Sequence, residues 1–583
     1  MIETTTKRNP YLVKRAFNSI FFAALLATAS SNLAVIVDGI IVGQLLGADA
    51  LAAVNLSMPI MQLYLTLTLL LGVGTSMLSA MAIGKGDKRS ASGYFTFAMV
   101  LCVAISVVVS LVGLYFMDDI VGLLCTNNQL TPLVKRFSSI TIGSAPIFFM
   151  LPILCTFLRI DGAAKLTAKA MIVANVVNIA FDIILITGFG MDIIGSSIAT
   201  VIGYSVGVMM LISHFLGKRN TIKLQRYRLK ELDLRQALLL GLPTALASAL
   251  LTVKLMVTNS IVLDITGATG ASYLAASMSL MMLVSLFCSG VSQTIQPIGA
   301  MLLGQRDNRG VRFTIWYGIR MLVIAIAAVV LIIEVFTSFV AEFYGISTDP
   351  AALSEATSAI RLVALSFLPF ALNYLLIVVY QISKRSLLAI SVSIIQPTMM
   401  VVLLLIAREC APEMIWWVFL VSEVLVFIFI YVTTLVKHHR DNTIEPLTLL
   451  KAGKELPSCD FSVDSSAKDS LGVAITELDS FFTQNSVGSK SSNTIRLIVE
   501  ELVGNILKFA YPKSHKKHYI DIRVILNNDT INLSIKDDGM PFNPLLNKNI
   551  NDGLGLKILQ GITPEIDYKY LMNQNITSLS IKL

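Results

Sequence analysis

The stretch Asn32-Leu-Ala-Val-Ile-Val-Asp38-Gly-Ile-Ile-Val-Gly-Gln44 places one carboxylate in an otherwise apolar segment. Asp38 is the only charged residue between Arg15 and Asp49. An ionised, unpaired side chain costs on the order of several kcal/mol in a lipid environment. A chain retains such a group where it faces a protein or water-filled interior and has a task there. The stretch therefore predicts a membrane protein in which Asp38 forms half of a proton- or cation-binding site.

The composition supports a membrane protein with a soluble tail. Of 583 residues, 55% are hydrophobic and 14% are charged, whereas soluble domains carry about a quarter charged residues. The sequence is apolar up to about Leu435 and then reads as an ordinary soluble domain. The net charge of +8 comes largely from short loops, so it indicates membrane orientation and not nucleic-acid binding. Six scattered cysteines without a C-x-x-C pair indicate neither a zinc site nor a disulfide framework.

Twelve apolar segments are each long enough, at about 20 residues or more, to cross a bilayer. They fall near 16–43, 51–80, 92–117, 133–157, 166–189, 193–217, 236–263, 271–300, 313–340, 357–382, 386–407 and 414–436. Lysine and arginine are concentrated in alternate connectors, and the exceptions near the predicted outer face are Lys135, Arg136, Arg361 and Arg408. By the positive-inside rule, the basic connectors and both termini are cytoplasmic, which predicts a multi-pass protein of the inner (cytoplasmic) membrane.

The membrane part also repeats itself with an offset of about 220 residues. The segment that ends Gly84-Lys-Gly-Asp87 has a counterpart that ends Gly304-Gln-Arg-Asp307. We therefore predict an all-α membrane part of 12 transmembrane helices in two six-helix bundles, followed by a soluble α+β domain. The predicted boundaries are 1–217 for the first bundle, 218–235 for a basic connector, 236–438 for the second bundle, 439–455 for a linker and 456–583 for the soluble domain.

Two acids lie at matching depth in the first predicted bundle. Asp38 and Asp182 come nine and eight residues before the glycines that end their segments, so both lie about 12–14 Å below their outer helix ends. Asn178 shares a helix with Asp182, and Thr200 reaches a similar depth. Two carboxylates, a carboxamide and a hydroxyl at one level suit a sodium ion or a shared proton. The alternative is a set of structural hydrogen bonds between packed helices.

These residues also carry a resemblance to a known family. Val37-Asp38-Gly39, together with Phe157-Leu-Arg-Ile-Asp-Gly162 and Asn175-Val-Val-Asn178-Ile-Ala-Phe-Asp182, is similar to motifs of the multidrug and toxic compound extrusion (MATE) transporters. The resemblance extends over most of residues 10–438 and implies antiport, in which a proton or sodium ion enters while a small organic, often cationic, compound leaves. It also implies that the cation site consists of Asp38, Asn178, Asp182 and Thr200.

The second predicted bundle departs from part of that family. Some members carry an acid pair on the seventh and tenth helices, where this chain has Lys254 and Asn373. Coupling through the second bundle is therefore not expected. Lys254 and Glu423 both fall deep in predicted spans, and we favour an ion pair between them because buried charges are usually matched. The alternative is that they tune the charge of the substrate.

The soluble tail contains helix and strand patterns in an order typical of helices on one face of a mixed sheet. Ala467–Phe482 and Ser491–Phe509 have helical periodicity, and Tyr519–Leu526 and Thr530–Lys536 alternate like paired strands. Further predicted elements are a short helix, Gly553–Gln560, and a closing strand, Ser578–Leu583.

Three local motifs lie on this scaffold. Glu501 and Asn505 are one helical turn apart, so that the amide oxygen of Asn505 suits Mg²⁺ and Glu501 suits a general base. Gly539 permits a tight turn after the predicted strand that ends near Asp537. Gly553 and Gly555 open a helix whose free N–H groups suit phosphate. Taken singly, each motif is also compatible with an ordinary structural role, as a solvated helix face, a turn or a flexible loop.

In this order, the three motifs resemble the GHKL ATP-binding fold, and specifically the anti-sigma-factor serine kinases, over residues 456–583. The resemblance implies that Asp537 recognises adenine, that Asn505 holds Mg²⁺, and that Glu501 serves phosphoryl transfer to a cytoplasmic protein partner of anti-anti-sigma type. Two departures are Phe509, where a histidine is common, and Asn575-Ile-Thr577, which replaces the usual Gly-Thr.

Three functions follow as hypotheses. The first is a cation-coupled antiporter with an ATP-binding regulatory or signalling domain. The second is a membrane-tethered Ser/Thr kinase whose transmembrane half senses a ligand. The third is a lipid-linked-sugar flippase, against which the acid pair of the first bundle argues.

Overall fold

The computed structural model describes residues 9–125, 129–217, 220–227, 229–344, 350–451, 456–465, 470–511, 517–527, 530–543 and 566–582. The chain divides into two compact units. We call residues Ile20–Lys451 the membrane unit, and Met1–Ser19 together with Ala452–Leu583 the sheet unit. The sheet unit therefore combines residues from both ends of the chain.

Helices make up most of the described part of the membrane unit. Those of the first half are α1 (Tyr11–Leu46, which begins in the sheet unit), α2 (Ala48–Gly84), α3 (Lys88–Tyr115), α4 (Met117–Leu124), α5 (Thr131–Gly143), α6 (Ala145–Ile160), α7 (Ala164–Ile183) and α8 (Ile193–Leu216). Those of the second half are α9 (Leu234–Gly304), α10 (Asn308–Val335), α11 (Thr337–Phe343), α12 (Pro350–Leu365), α13 (Phe367–Ile382), α14 (Ser386–Cys410) and α15 (Ile415–Arg440).

Within the described residues, ten helical segments are long and apolar enough to cross a membrane, and the bent pair α5–α6 makes an eleventh. An all-helical, multi-pass membrane part is thus confirmed, while twelve spans in two six-helix bundles remain a prediction. The difference lies in α9, whose 71 residues extend about 105 Å as a straight helix, over three times the thickness of a bilayer. Its backbone leaves the helical conformation at Gly267 (φ 65°, ψ −163°), inside the predicted seventh connector.

Equivalent positions of the sequence repeat begin their helices in the same way. The Asp87 carboxylate accepts a hydrogen bond from the Ser90 N–H (2.9 Å) at the start of α3. The Asp307 carboxylate accepts one from the Gly310 N–H (2.8 Å) at the start of α10. Such caps satisfy backbone donors that have no partner within the helix. The repeat therefore fixes where the helix after each Gly-x-x-Asp turn begins.

Besides the first turns of α1, the sheet unit contains five strands and two helices among its described residues. They are β1 (Ser458–Asp464), α16 (Ser470–Gln484), α17 (Ser489–Phe509), β2 (Tyr519–Asn527), β3 (Thr530–Asp537), β4 (Ile566–Leu571) and β5 (Gln574–Lys582). The strand order is β1-β2-β3-β5-β4. The two longer predicted helices and the central hairpin are confirmed, and β5 contains the described part of the predicted closing strand, whereas β1 and β4 were not predicted.

The prediction of a mixed sheet is wrong for the described strands, because every neighbouring pair among them is antiparallel. The core holds apolar side chains from β1 to β3 and from both helices, among them Phe461, Leu478, Ile498, Leu502 and Ile522. The predicted helix Gly553–Gln560 lies outside the described residues.

Candidate functional site

Asp38 of α1 and Asp182 of α7 are neighbours in the membrane unit, and Ser196 of α8 adjoins both carboxyl groups. Asp182 and Ser196 are buried, and Asp38 is half-buried. A π-helical turn, Ile184–Gly188, follows α7 directly. Such turns interrupt the regular ladder of an α-helix and are frequent at functional sites. Three helices thus bring two acids and a hydroxyl to one place.

Asn178 and Thr200 complete this acid cluster. The Asn178 amide nitrogen donates to Oδ2 of Asp182 (3.0 Å) and to the Thr200 hydroxyl (3.3 Å). The Thr200 hydroxyl in turn donates to the main-chain oxygen of Ser196 (3.1 Å). The structure therefore brings together all four residues predicted for the membrane site. Ser196 was missed, although its place four residues before Thr200 puts it on the same helix face.

The acid cluster contains acceptors that no described protein group satisfies. Oδ1 of Asp38 and Oδ1 of Asp182 are buried and have no hydrogen-bond partner among the described residues. A buried acceptor without a partner is costly, and an intramembrane carboxylate more so. No described group of three or more His, Cys, Asp or Glu side chains suits a metal ion. A cation here would bind to two carboxylates together with amide and hydroxyl oxygens, which suit hard cations.

A second polar cluster surrounds Glu423 of α15. Its carboxylate accepts hydrogen bonds from Lys254 of α9 (3.3 Å), Asn373 of α13 (3.0 Å) and Gln396 of α14 (2.8 Å). Glu423 and Lys254 have 3% and 12% of their side-chain surface exposed. Carboxylate and ammonium balance each other here, so this cluster has the buried partner that the acid cluster lacks.

In the sheet unit, α17 presents Glu501 and Asn505 side by side. The Asn505 amide nitrogen lies 3.4 Å from Oε1 of Glu501, and Asn505 is buried while Glu501 is half-buried. A carboxylate and a carboxamide one helical turn apart supply the oxygen ligands that Mg²⁺ prefers. The residues therefore fit the metal and base roles that the resemblance implies.

Asp537 is the last residue of β3, and described residues donate hydrogen bonds to only one of its two carboxylate oxygens. Oδ1 accepts hydrogen bonds from the Gly539 N–H (2.9 Å) and the Asn575 amide (2.7 Å). Oδ2 accepts none within the described part of the chain, so it can accept one from a ligand amine. Burial raises the pKa of Asp537 to about 6, against the opposing effect of those two hydrogen bonds. The carboxylate is therefore mostly ionised at neutral pH.

The turn after Asp537 packs on the end of α17. A Cβ atom on Gly539 would lie 2.7 Å from the Ala510 carbonyl oxygen, so only glycine fits there. The Met540 N–H donates to the same oxygen (2.9 Å). Asn575, noted above as a departure from the family, is bonded both to Asp537 and to the Met540 carbonyl oxygen (2.9 Å). Gly553 and Gly555, predicted for phosphate, lie outside the described residues.

The fold defines a multi-pass helical membrane protein joined to a soluble domain of helices packed on a small sheet. The sequence profile of the MatE family matches residues 23–184 and 243–406, more than half of the chain. The chain belongs to this family. The profile of the histidine kinase-like ATPase domain matches residues 465–581.

Several known proteins are similar to the chain. It is 27% identical to "Probable multidrug resistance protein YoeA" of Bacillus subtilis over 54% of this chain and 70% of the relative. It is 22% identical to "Multidrug export protein MepA" of Staphylococcus haemolyticus over 67% of this chain and 86% of the relative. A solved outward-facing structure of a multidrug resistance MATE transporter superposes with a TM-score of 0.67 at 21% identity, covering 75% of this chain and 98% of that one. The fold of the membrane unit is thus that of MATE transporters.

Proposed function

We propose that this protein is an antiporter that exports small organic, possibly cationic, compounds in exchange for a proton or a sodium ion. The observation that carries the proposal is the pair Asp38–Asp182, whose Oδ1 atoms have no partner among the described residues. A bound proton or sodium ion removes that electrostatic cost, and its release restores it. Occupancy of the pair therefore biases which way the transporter opens. The similarity to a multidrug export protein and to a probable multidrug resistance protein supports the substrate class.

Both coupling ions fit the acid cluster. A proton shared between Asp38 and Asp182 removes one of two like charges. A sodium ion instead needs oxygen ligands, which these carboxylates, Ser196 and Thr200 supply, with the Asn178 amide turned to present its oxygen. The two alternatives differ in which gradient drives export.

The proposal is tested in everted membrane vesicles that are given a fluorescent organic cation in the external medium, with pH and sodium gradients imposed separately. We expect one gradient to drive uptake into the vesicles, and Asp38→Asn to abolish it. Glu501→Ala is expected to leave it in place, because the sheet unit does not supply the driving force. Persistent flux in Asp38→Asn contradicts the antiport mechanism.

For the sheet unit, we propose a cytoplasmic ATP-binding domain that regulates transport or signals to a protein partner. Asp537 recognises adenine through Oδ2, the oxygen that accepts no hydrogen bond from a described residue, and Gly539 holds the turn that presents it. Asn505 would hold Mg²⁺, which neutralises phosphate charge when bound, and Glu501 takes the proton from an acceptor hydroxyl. The basic connectors support a protein of the inner membrane with cytoplasmic termini.

A further inference from the structure

The first turns of α1 are built into the sheet unit. The Asn9 N–H donates to the Ser462 hydroxyl (3.0 Å), and the Tyr11 and Tyr519 rings lie 4.8 Å apart. Farther along the helix, the Gln574 amide donates to the Leu12 carbonyl oxygen (2.6 Å). Residues from both ends of the chain therefore form one folded unit, and the helix that carries Asp38 begins in it.

One contact in this unit involves a buried charge. Arg15 pairs with the Asp538 carboxylate and also donates to the Asp538 main-chain oxygen (3.1 Å). The Asp538 side chain is only 1% exposed. His518 Nδ1 lies 3.2 Å from each of its carboxylate oxygens. A buried carboxylate needs such partners, and removal of one partner is strongly destabilising.

Asp538 belongs to the turn that presents the nucleotide-recognising acid. It lies between Asp537 and Gly539, and the close approach of Gly539 to Ala510 leaves this turn little room to move. Arg15 holds both the side chain and the main chain of Asp538. Arg15 thus holds the residue next to Asp537 from more than 500 positions away in the sequence.

We propose that Arg15 is a positioning residue for the nucleotide site, and that nucleotide occupancy is coupled to helix α1 through the Arg15–Asp538 contact. This inference rests on the proposed nucleotide binding. Helix α1 continues from Tyr11 to Leu46 and carries Asp38. If the turn is held more firmly with nucleotide bound, the start of α1 is held more firmly too. Coupling of this kind is reciprocal in free energy.

A purely structural role for Arg15 makes a different prediction. The hydrogen bond from the Asn573 amide to the Ser19 hydroxyl (2.7 Å) also anchors α1, but Asn573 lies in the β4–β5 turn and not beside Asp537. Ser19→Ala therefore weakens the anchoring of α1 without touching Asp538. Arg15→Gln removes the positive charge and keeps an amide donor. Arg15→Lys keeps the positive charge but lacks the planar guanidinium group.

The experiment measures binding of a fluorescent ATP analogue to the full-length protein in lipid nanodiscs. We expect Arg15→Gln to weaken binding about tenfold, Arg15→Lys to recover part of the loss, and Ser19→Ala to stay within about twofold of the unsubstituted protein. Equal losses in Arg15→Gln and Ser19→Ala, or no loss in Arg15→Gln, overturn the positioning role. Absence of saturable binding in the unsubstituted protein overturns the proposed nucleotide binding itself, and the inference with it.

A second set of variants tests whether a loss in Arg15→Gln comes from misfolding or from the Arg15–Asp538 contact. In Asp538→Asn the buried charge is gone, so adding Arg15→Gln is expected to cost little further stability or nucleotide affinity. Full additivity of the two substitutions contradicts a direct link. In everted vesicles, saturating nucleotide is expected to change the export rate of the unsubstituted protein and to change it less in Arg15→Gln. An equal response in both overturns the coupling.

Discussion

Gly84 of α2 and Gly304 of α9 each pack directly against the backbone of the other helix, so the contact is reciprocal. A Cβ atom on Gly84 would lie 2.1 Å from the Met301 carbonyl oxygen, and one on Gly304 would lie 2.1 Å from the Met81 carbonyl oxygen. These are equivalent positions of the sequence repeat, so the two halves meet through the same Gly-x-x-Asp segment. No larger side chain fits at either position unless the helices separate.

We therefore expect Gly84→Ala and Gly304→Ala each to destabilise this closed arrangement by about 1–3 kcal/mol, the usual cost of overpacking. Export should fall because the halves no longer close at this end. The control is Gly122→Ala, where a Cβ atom meets nothing within 4 Å. Thermal unfolding in detergent and vesicle transport are the measurements. Unchanged melting and transport in Gly84→Ala argue that the helices do not need to approach this closely.

The acid cluster predicts that function and stability respond in opposite directions. Asp38→Asn and Asp182→Asn each remove an intramembrane charge that faces a like charge, so the melting temperature should hold or rise. Export should be lost because the single remaining acid no longer forms the paired site proposed for the proton or sodium ion. Asp49→Asn, at an exposed first-turn acid of α2, is the matched control. Loss of both folding and export in the two variants favours a structural role for the acids.

The Glu423 cluster predicts a large cost for breaking one ion pair. Lys254→Met leaves the Glu423 carboxylate buried with only amide partners, and we expect a loss of about 3–5 kcal/mol in unfolding free energy. Adding Glu423→Gln removes the stranded charge and should recover most of that loss. The check is thermal or denaturant unfolding of both variants in the same detergent. If the double variant is no more stable than the single one, the pair is not held as described.

Asp537 predicts a pH dependence of ligand affinity. Its pKa is raised to about 6 by burial, so the folded protein takes up its proton at a higher pH than the unfolded chain does. From this group alone, the unfolding free energy decreases as pH rises from about 4 to about 6. Adenosine carries no phosphate to titrate and needs the ionised acceptor, so its affinity should be about tenfold lower at pH 5 than at pH 7.5.

Isothermal titration calorimetry with adenosine at the two pH values measures this change. Asp537→Asn should bind adenosine weakly and without the pH step. A step of the same size in Asp537→Asn assigns the titration to another group.

Substitutions of Asn505 and Glu501 in α17 are expected to affect different steps, namely Mg²⁺-dependent ATP binding and phosphoryl transfer. Asn505→Ala should abolish the increase in ATP affinity on adding Mg²⁺, while adenosine binding is unchanged. Glu501→Gln should retain ATP binding and lose phosphoryl transfer. Glu500→Gln is the matched control, because Glu500 pairs at the surface with Arg496 (3.0 Å). Radiolabelled ATP gives both readouts. Equal effects of Glu501→Gln and Glu500→Gln on phosphoryl transfer would contradict the proposed role of Glu501 as general base.

The sequence by itself determined the features that are local or compositional. Twenty-residue apolar segments indicate membrane helices because an unpaired peptide group in lipid is costly. A lone aspartate in such a segment indicates an ion site for the same reason. Capping by Asp87 and Asp307, and the alternation in β2 and β3, depend only on neighbours along the chain. The pairing of Lys254 with Glu423 followed from charge balance.

Only the tertiary structure decided which residues that are far apart in the sequence come into contact. Ser196 is an ordinary helix serine until packing sets it beside Asp38 and Asp182. The strand β1 alternates polar and apolar residues as β3 does, so the sequence carried a signal for it that the predictions missed, while its pairing with β2 was decided only by the tertiary structure. Nothing local in Arg15 points to Asp538, because that contact forms only when a helix from the start of the chain packs on a sheet from its end. Periodicity records which side of an element is buried and carries no information about its partner.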